Sequence, residues 1–510
     1  GPLNDILPLT QKFSVFGMDA QLSGQGKIND YMPRFMGTKK ERSALARFII
    51  ETLHGKHAAP VKSAIKHLPA KIPAFDEETD DYVLLCWNTS GMHWFSDASP
   101  FFMLRPPGNT LYAQLIKRGE TPEIVTDEVN LSYEAEPGFS HPSKHIGFWD
   151  YTKHYFGKDV SDNVGITGNG LNGTMKPDDE KMAFFADFIP VVPYPDDGVF
   201  NPYPLFTITA RDGESGNILA QTRAVAPVST EMGCKNCHGG EFRTKGVAGL
   251  SPETAKNILS IHDRISKTDL MDMAKNGKPA SCRSCHGDSN SAAKGNQKTL
   301  NLSSAMHGFH ANYLTDRGSD ACHACHPTSP SGNSRLFRGI HNQLDMDCTN
   351  CHGKMEDHAL SLLMAEKAAG KKSADRLIKH LLPRSVGTKE DITPRIPWIN
   401  APDCLHCHED FEPPETDEIG LHQRTKNKDE LFRMRAGDAG VMCTACHGSA
   451  HAVYPAINPY GTGRDSIPPL QHQGNPYPLG ANKNCKVCHT IDMEEEIHHP
   501  NMLTMFRNTQ

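Results

Sequence analysis

Seven copies of Cys-x-x-Cys-His recur in the second half of the chain and constrain its fold more than any other feature. They run Cys234–His238, Cys282–His286, Cys322–His326, Cys348–His352, Cys404–His408, Cys443–His447 and Cys485–His489. Two thiols at that spacing add to the two vinyl groups of one haem, and the histidine that follows is held under the iron as its proximal ligand. Zinc sites pair such motifs in recurring geometry and do not require a histidine after every second cysteine. A thioredoxin-type pair occurs once, beside a βαβ pattern. The pattern therefore predicts seven haem c groups. Their thioether ligands are Cys234, Cys237, Cys282, Cys285, Cys322, Cys325, Cys348, Cys351, Cys404, Cys407, Cys443, Cys446, Cys485 and Cys488. Their proximal ligands are His238, His286, His326, His352, His408, His447 and His489.

Fourteen of the 15 cysteines are spent on these motifs; the other, Cys86, has no partner, so the chain is no disulfide-stapled scaffold. Covalent haem attachment takes place outside the cytoplasm, so the chain is expected to be exported. Gly1-Pro2-Leu3 opens without a basic or apolar leader, which reads as a processed or trimmed start. The longest apolar stretches, such as 182–192, are broken by Asp187 and Pro190, and none is long enough for a membrane span. Hydrophobic residues make up only 37%, low for 510 residues, as expected if porphyrins supply much of the core.

Charge separates the two parts. Residues 1–233 carry 21 Lys+Arg and 29 Asp+Glu; subtracting these from 53 and 60 leaves 32 and 31 for the rest. Seven haems would add 14 propionates to that second part. Its basic residues are then better matched to propionates than to nucleic acid, and no basic run is interleaved with aromatics.

Along the chain, 41–57 reads as a helix, with His54, His57 and His67 near its end. From residue 80 short apolar runs bounded by turn residues predict strands: 82–87, 101–104, the alternating 129–135, and a hairpin of 205–210 with 218–227 around Arg211–Asn217. Residues 109–119 read as a short helix between strands. Cys86 and His93 read as a buried free thiol and a hydrogen-bonded imidazole, and no catalytic signature occurs in this half. Later, Ser251-Pro252-Glu253 is a helix start, and 355–367 and 373–382 read as two helices broken near Gly370. The Pro-rich stretches 383–402 and 455–480 read as loops over haem edges. The predicted class is α+β: an irregular or helical segment 1–80, a haem-free, sandwich-like β domain 81–230, and a loop- and helix-rich heptahaem domain 231–510 with little regular sheet.

Thirteen further histidines follow residue 233: His262, His307, His310, His323, His341, His358, His380, His406, His422, His451, His472, His498 and His499. They offer a distal ligand for every iron, and His262, His307, His310, His341, His358, His451 and His498 are the candidates; methionine is the alternative. His451 lies four residues after His447, a span of at most about 14 Å. That is too short to round its own porphyrin, so it should serve a neighbour. The same holds for His358, six after His352. His307 and His310, one helical turn apart, should serve different haems.

The seven motifs, with segments such as Cys443-Thr-Ala-Cys-His-Gly-Ser-Ala-His451, resemble multihaem c-type cytochromes of bacteria that exchange electrons with extracellular partners, among them the families that polymerise into haem nanowires. The resemblance covers 234–510. It implies mostly bis-histidine haems, an electron carrier and no enzyme, partners that are redox proteins or extracellular acceptors, and an extracellular or cell-surface location, with the periplasm as alternative. Self-association into a filament is a further implication, against which the large N-terminal region stands. The competing reading is a multihaem reductase of a nitrogen or sulfur oxyanion with one open iron.

Overall fold

The computed structural model describes residues 71–244, 248–328, 332–408, 424–437 and 439–493, together with 35, 36, 38–53 and positions 10, 18 and 22. The expected helix around 41–57 begins at Lys39, where Thr38 and Glu41 form a capping box, and passes after Arg47 into a π-turn, Phe48–Leu53. His54, His57 and His67 lie outside the described residues.

In chain order the first strands are β1 (Tyr82–Asn88), β2 (His93–Trp94), β3 (Phe102–Met103), β4 (Asn109–Lys117), β5 (Glu123–Val125), β6 (Val129–Ala135), β7 (Asn172–Thr174), β8 (Lys176–Asp178), β9 (Ala183–Ile189), β10 (Leu205–Asp212), β11 (Ile218–Val225) and β12 (Val228–Ser229). One sheet has the order β1-β4-β9-β8, with β5 also on β4; the other runs β11-β10-β6-β7. Both are antiparallel, as the hairpin and the alternating 129–135 run require.

Residues 109–119 form a strand, not a helix. Leu111, Ala113 and Leu115 take one face and Tyr112, Gln114 and Ile116 the other, and each face finds its own apolar partner. That two-sided burial outweighs the helical preference of Leu, Ala and Gln. On the inner side, Leu84, Cys86, Leu111, Ala113 and Leu115 meet Leu131, Phe206, Ile208 and Ala210 of the second sheet. On the outer side, Val83, Leu85, Trp87 and Ile116 meet Met442, Ala445, Leu479 and Val487. A strand buried on both faces reads as an unbroken apolar run, which is how Tyr82–Trp87 is written.

The second part is helices and loops. Ser251 caps Pro252–Ser266 by accepting from the Thr254 amide. Met355–Ala368 and Lys372–Ile378 are separated at Gly370, whose φ of 80° suits a residue without Cβ. The first of these helices is buried nearly all round and packs with Leu300, Ala311, Leu314 and Ile392. The stretch 455–480 is not loop throughout. Ile467–Gln473 is a helix with Pro468 and Pro469 in its first turn, where proline costs no hydrogen bond.

A buried ion pair within the second part also reaches the first through one hydrogen bond. Arg338, 1% exposed, donates to Asp465 from Nε at 2.9 Å and Nη2 at 2.6 Å, and Nη2 also reaches the Gly91 carbonyl at 2.8 Å.

Candidate haem centres

Each pentapeptide forms a single helical turn or its 3-10 equivalent, as in Cys348–His352 and Cys443–His447. One turn brings positions i, i+3 and i+4 to the same face, so both thiols and the imidazole point together.

Five of these histidines face a second histidine. Ring centroids lie 6.4 Å apart for His238 and His310, 6.4 Å for His262 and His286, 6.2 Å for His307 and His326, 6.0 Å for His341 and His408, and 6.2 Å for His352 and His451. With a metal–imidazole bond of about 2 Å, two rings on opposite sides of one metal have centroids about 6 Å apart. The residues thus fit a bis-imidazole iron in five places.

Proton placement agrees. Nδ1 of His286 bonds the Leu300 carbonyl at 2.8 Å, that of His307 the Ser303 carbonyl at 2.9 Å, that of His310 the Met306 carbonyl at 2.7 Å and that of His451 the Ser90 carbonyl at 3.2 Å. A carbonyl only accepts, so Nδ1 carries the hydrogen and Nε2 keeps its lone pair for a metal. Burial also keeps these rings neutral: it pushes His307 and His341 down to about 4 and His326 down to about 3.

The β sheets reach the last centre directly. His489 Nδ1 bonds the Glu120 carbonyl at 2.9 Å, Arg118 donates to the Lys486 and Val487 carbonyls at 2.7 and 3.1 Å, and Gly119 bridges His489. Gln114, on the outer face of β4, accepts from the Met442 amide at 2.9 Å just before the sixth motif. Nothing in the local sequence announces these contacts, which join residues more than 300 apart.

The other sequence candidates sort differently. His358 lies 4.6 Å from His307 and 6.0 Å from His352, but Arg395 Nη2 stands 2.9 and 3.0 Å from its two ring nitrogens. A guanidinium only donates, so it occupies the lone-pair side that a metal would need, and His352 already faces His451. His323 bonds Asp347 at 3.2 Å, which with Cys348 draws its pKa up to about 10. His323, Asp347 and Cys348 form the metal-competent cluster found among the described residues, but Cys348 is a motif thiol, so that cluster is part of the fourth centre. His472 packs on Phe75 beneath β1, with Nε2 3.3 Å from the Leu84 carbonyl. His93 bonds the Pro106 carbonyl at 2.9 Å and Cys86 is buried between the sheets. His422, His498 and His499 lie outside the described residues.

The motifs touch one another. His238 Nδ1 meets Asn257 at 2.9 Å, on the helix that also carries His262. Gly233 and Asn236 donate to the Cys325 and Ala324 carbonyls at 3.0 and 2.9 Å. Ser319 meets Thr349 at 3.0 Å between the third and fourth motifs. Arg424, bridged to Pro402, donates to the His352 carbonyl at 2.9 Å. Arg435 pairs with Asp403 at 2.6 Å and accepts from the Cys443 amide at 3.1 Å. Leu479 donates to the Cys446 carbonyl at 3.1 Å, and Cys446 and Cys488 share one apolar cluster. The first–third contact leaves no room for a side chain, because a Cβ on Gly233 would overlap the Ala324 carbonyl. Gly233→Ala is therefore expected to cost about 1–3 kcal/mol, read by denaturant unfolding, as overpacking does elsewhere.

Residues 318–500 match the family model for outer membrane cytochromes, MtrC/MtrF-like, domains II/IV. No curated protein and no solved structure matches the chain. The matched stretch holds the five motifs from Cys322–His326 to Cys485–His489. The match supports a multihaem extracellular cytochrome that carries haem c and transfers electrons, located outside the cell or at its surface. Among the described residues no helix is long and apolar enough to cross a membrane.

Proposed function

We propose that the chain conducts electrons through seven c-type haems, one on each Cys-x-x-Cys-His turn. The five histidine pairs carry this reading. Each bound haem supplies a reversible one-electron change at iron. The protein's part is to hold an imidazole on each side, one of them, in four of the five pairs, through a backbone carbonyl that cannot change protonation. We assign the distal positions of the first five centres to His310, His262, His307, His451 and His341, and leave His358 out of the ligand set.

The motif contacts support a continuous path in the order second, first, third, fourth, fifth, sixth, seventh, with His451 adding a cross-link from the sixth segment to the fourth centre. Its ends, at the second and seventh motifs, are where partners would exchange electrons.

Haem content and carbon monoxide test the proposal. The expected result is seven haems per chain by pyridine haemochrome and no carbon monoxide binding at the five paired centres after reduction. Fewer than seven haems, or carbon monoxide on more than two, overturns it. The oxyanion-reductase reading needs an open iron and would give carbon monoxide binding together with turnover of nitrite or sulfite.

A further inference from the structure

We infer that Arg118, at the end of the strand-rich part's β4, positions the proximal imidazole of the seventh centre and thereby sets the redox midpoint of its haem. The inference rests on the haem reading above. His238 gives its Nδ1 hydrogen to Asn257 and His286 gives its own to the Leu300 carbonyl, partners 19 and 14 residues away. His489 gives its Nδ1 hydrogen to the Glu120 carbonyl at 2.9 Å, 369 residues away in the other part of the chain. Such a bond leaves the imidazole richer in electrons, which favours oxidised iron, and its length decides how strongly.

Arg118 fixes that length. The first part holds it in place: Nη1 donates to the Asp80 carbonyl at 2.7 Å, its amide donates to the Asp81 carbonyl at 2.8 Å, and its guanidinium carbon lies 5.5 Å from the centre of the Phe75 ring. The other two nitrogens grip the turn Cys485–Val487, Nη2 on the Lys486 carbonyl at 2.7 Å and Nε on the Val487 carbonyl at 3.1 Å. The next residue continues the clamp on either side of His489: Gly119 donates to the Cys488 carbonyl at 3.4 Å and accepts from the Thr490 amide at 3.0 Å. Carbonyls on both parts of the chain suit a rigid planar fork, whereas a lysine ammonium is a point charge on a flexible stem and cannot hold them together. The same guanidinium is a cation beside the motif, and that role has the opposite sign. Removing a charge would lower the midpoint, while loosening the imidazole's hydrogen bond would raise it.

The test is a redox titration of the holoprotein, of Arg118→Lys and of Arg118→Met, with exposed Arg211→Lys as control. A variant with Cys485→Ala and Cys488→Ala, which cannot attach the seventh haem, identifies that haem's component by subtraction. In Arg118→Lys the charge stays and the grip is lost. The expected result there is an upward shift of that one component, together with faster deuterium exchange of the His489 Nδ1 proton by NMR. The other components and the control should not move. In Arg118→Met the lost charge opposes the shift, so its midpoint should lie below that of Arg118→Lys while the proton exchanges equally fast. Unchanged midpoint and exchange in Arg118→Lys overturn the inference. So does a wild-type midpoint in Arg118→Lys beside a lowered one in Arg118→Met, since Arg118 would then act by charge alone, and so does a shift of all components together. Mass analysis of the haem-bearing peptides separates the two levels: absence of haem from the Cys485 peptide in wild type refutes the haem reading, whereas its presence with an unshifted midpoint refutes only the role of Arg118.

Discussion

Replacing Arg338 with alanine should destabilise the protein by about 3–5 kcal/mol, the cost of leaving one member of a buried ion pair without the other. Asp465 is 8% exposed and would keep only the Asn458 amide at 3.3 Å. The loss spreads because Arg338 joins three stretches. It holds Gly91 of the β region, its own turn through the Arg335 and Leu336 carbonyls, and Asp465 beyond the sixth motif. Its own amide also donates to the His451 carbonyl at 2.9 Å. Arg338→Ala should therefore loosen the fourth centre along with the domain junction. Denaturant unfolding measures the first effect; the low-spin haem spectrum reports the second. A variant that unfolds within 1 kcal/mol of wild type would show that the pair holds nothing together. Arg338→Ala with Asp465→Ala should be milder than the single change, because no orphan charge remains.

The second large effect concerns the helix Leu302–His310, which turns one histidine to the first centre and another to the third. His310→Ala should open one iron and His307→Ala a different one, and the double variant two. Carbon monoxide titration of the reduced protein should give one, one and two bound equivalents above wild type. Alanine is the best helix former, so the scaffold survives both changes. An unchanged titration for either single variant would mean that the ring opposite is not its partner. At Gly308, between them, the absent side chain admits Leu363 of the neighbouring helix. The close approach fixes how far the two rings project.

The seven Cys-x-x-Cys-His turns were legible in the sequence because their residue types recur at fixed spacing. The crossing of His451 to another motif's histidine was legible as well, since four residues cannot round a porphyrin. By the same reach His358 looked equal to it. What separates the two is Arg395, which lies 37 residues further on and meets His358 only through tertiary packing. The hairpin of β10 and β11 followed from a turn flanked by two runs, with ends two residues off, but β4 did not. Its residues serve two cores at once, so the face that is usually exposed and polar carries Tyr112, Ile116 and a buried Gln114. Gln114 is fully buried and spends its amide on Gly440 and Met442, a demand that arises only once the distant segment has docked.

The two-sided sheet has a consequence for how the protein is made. β1 and β4 precede every attachment turn in the chain, and a secreted chain emerges from its N-terminus. The surface that will receive 442–487 can exist before any haem-bearing segment appears. The last two turns would then close onto a finished floor of Val83, Leu85, Trp87 and Ile116. The strand-rich half would thus be a mould as well as a neighbour. A lesion in β1 would then surface at the opposite end of the sequence, in the segments that pack on it.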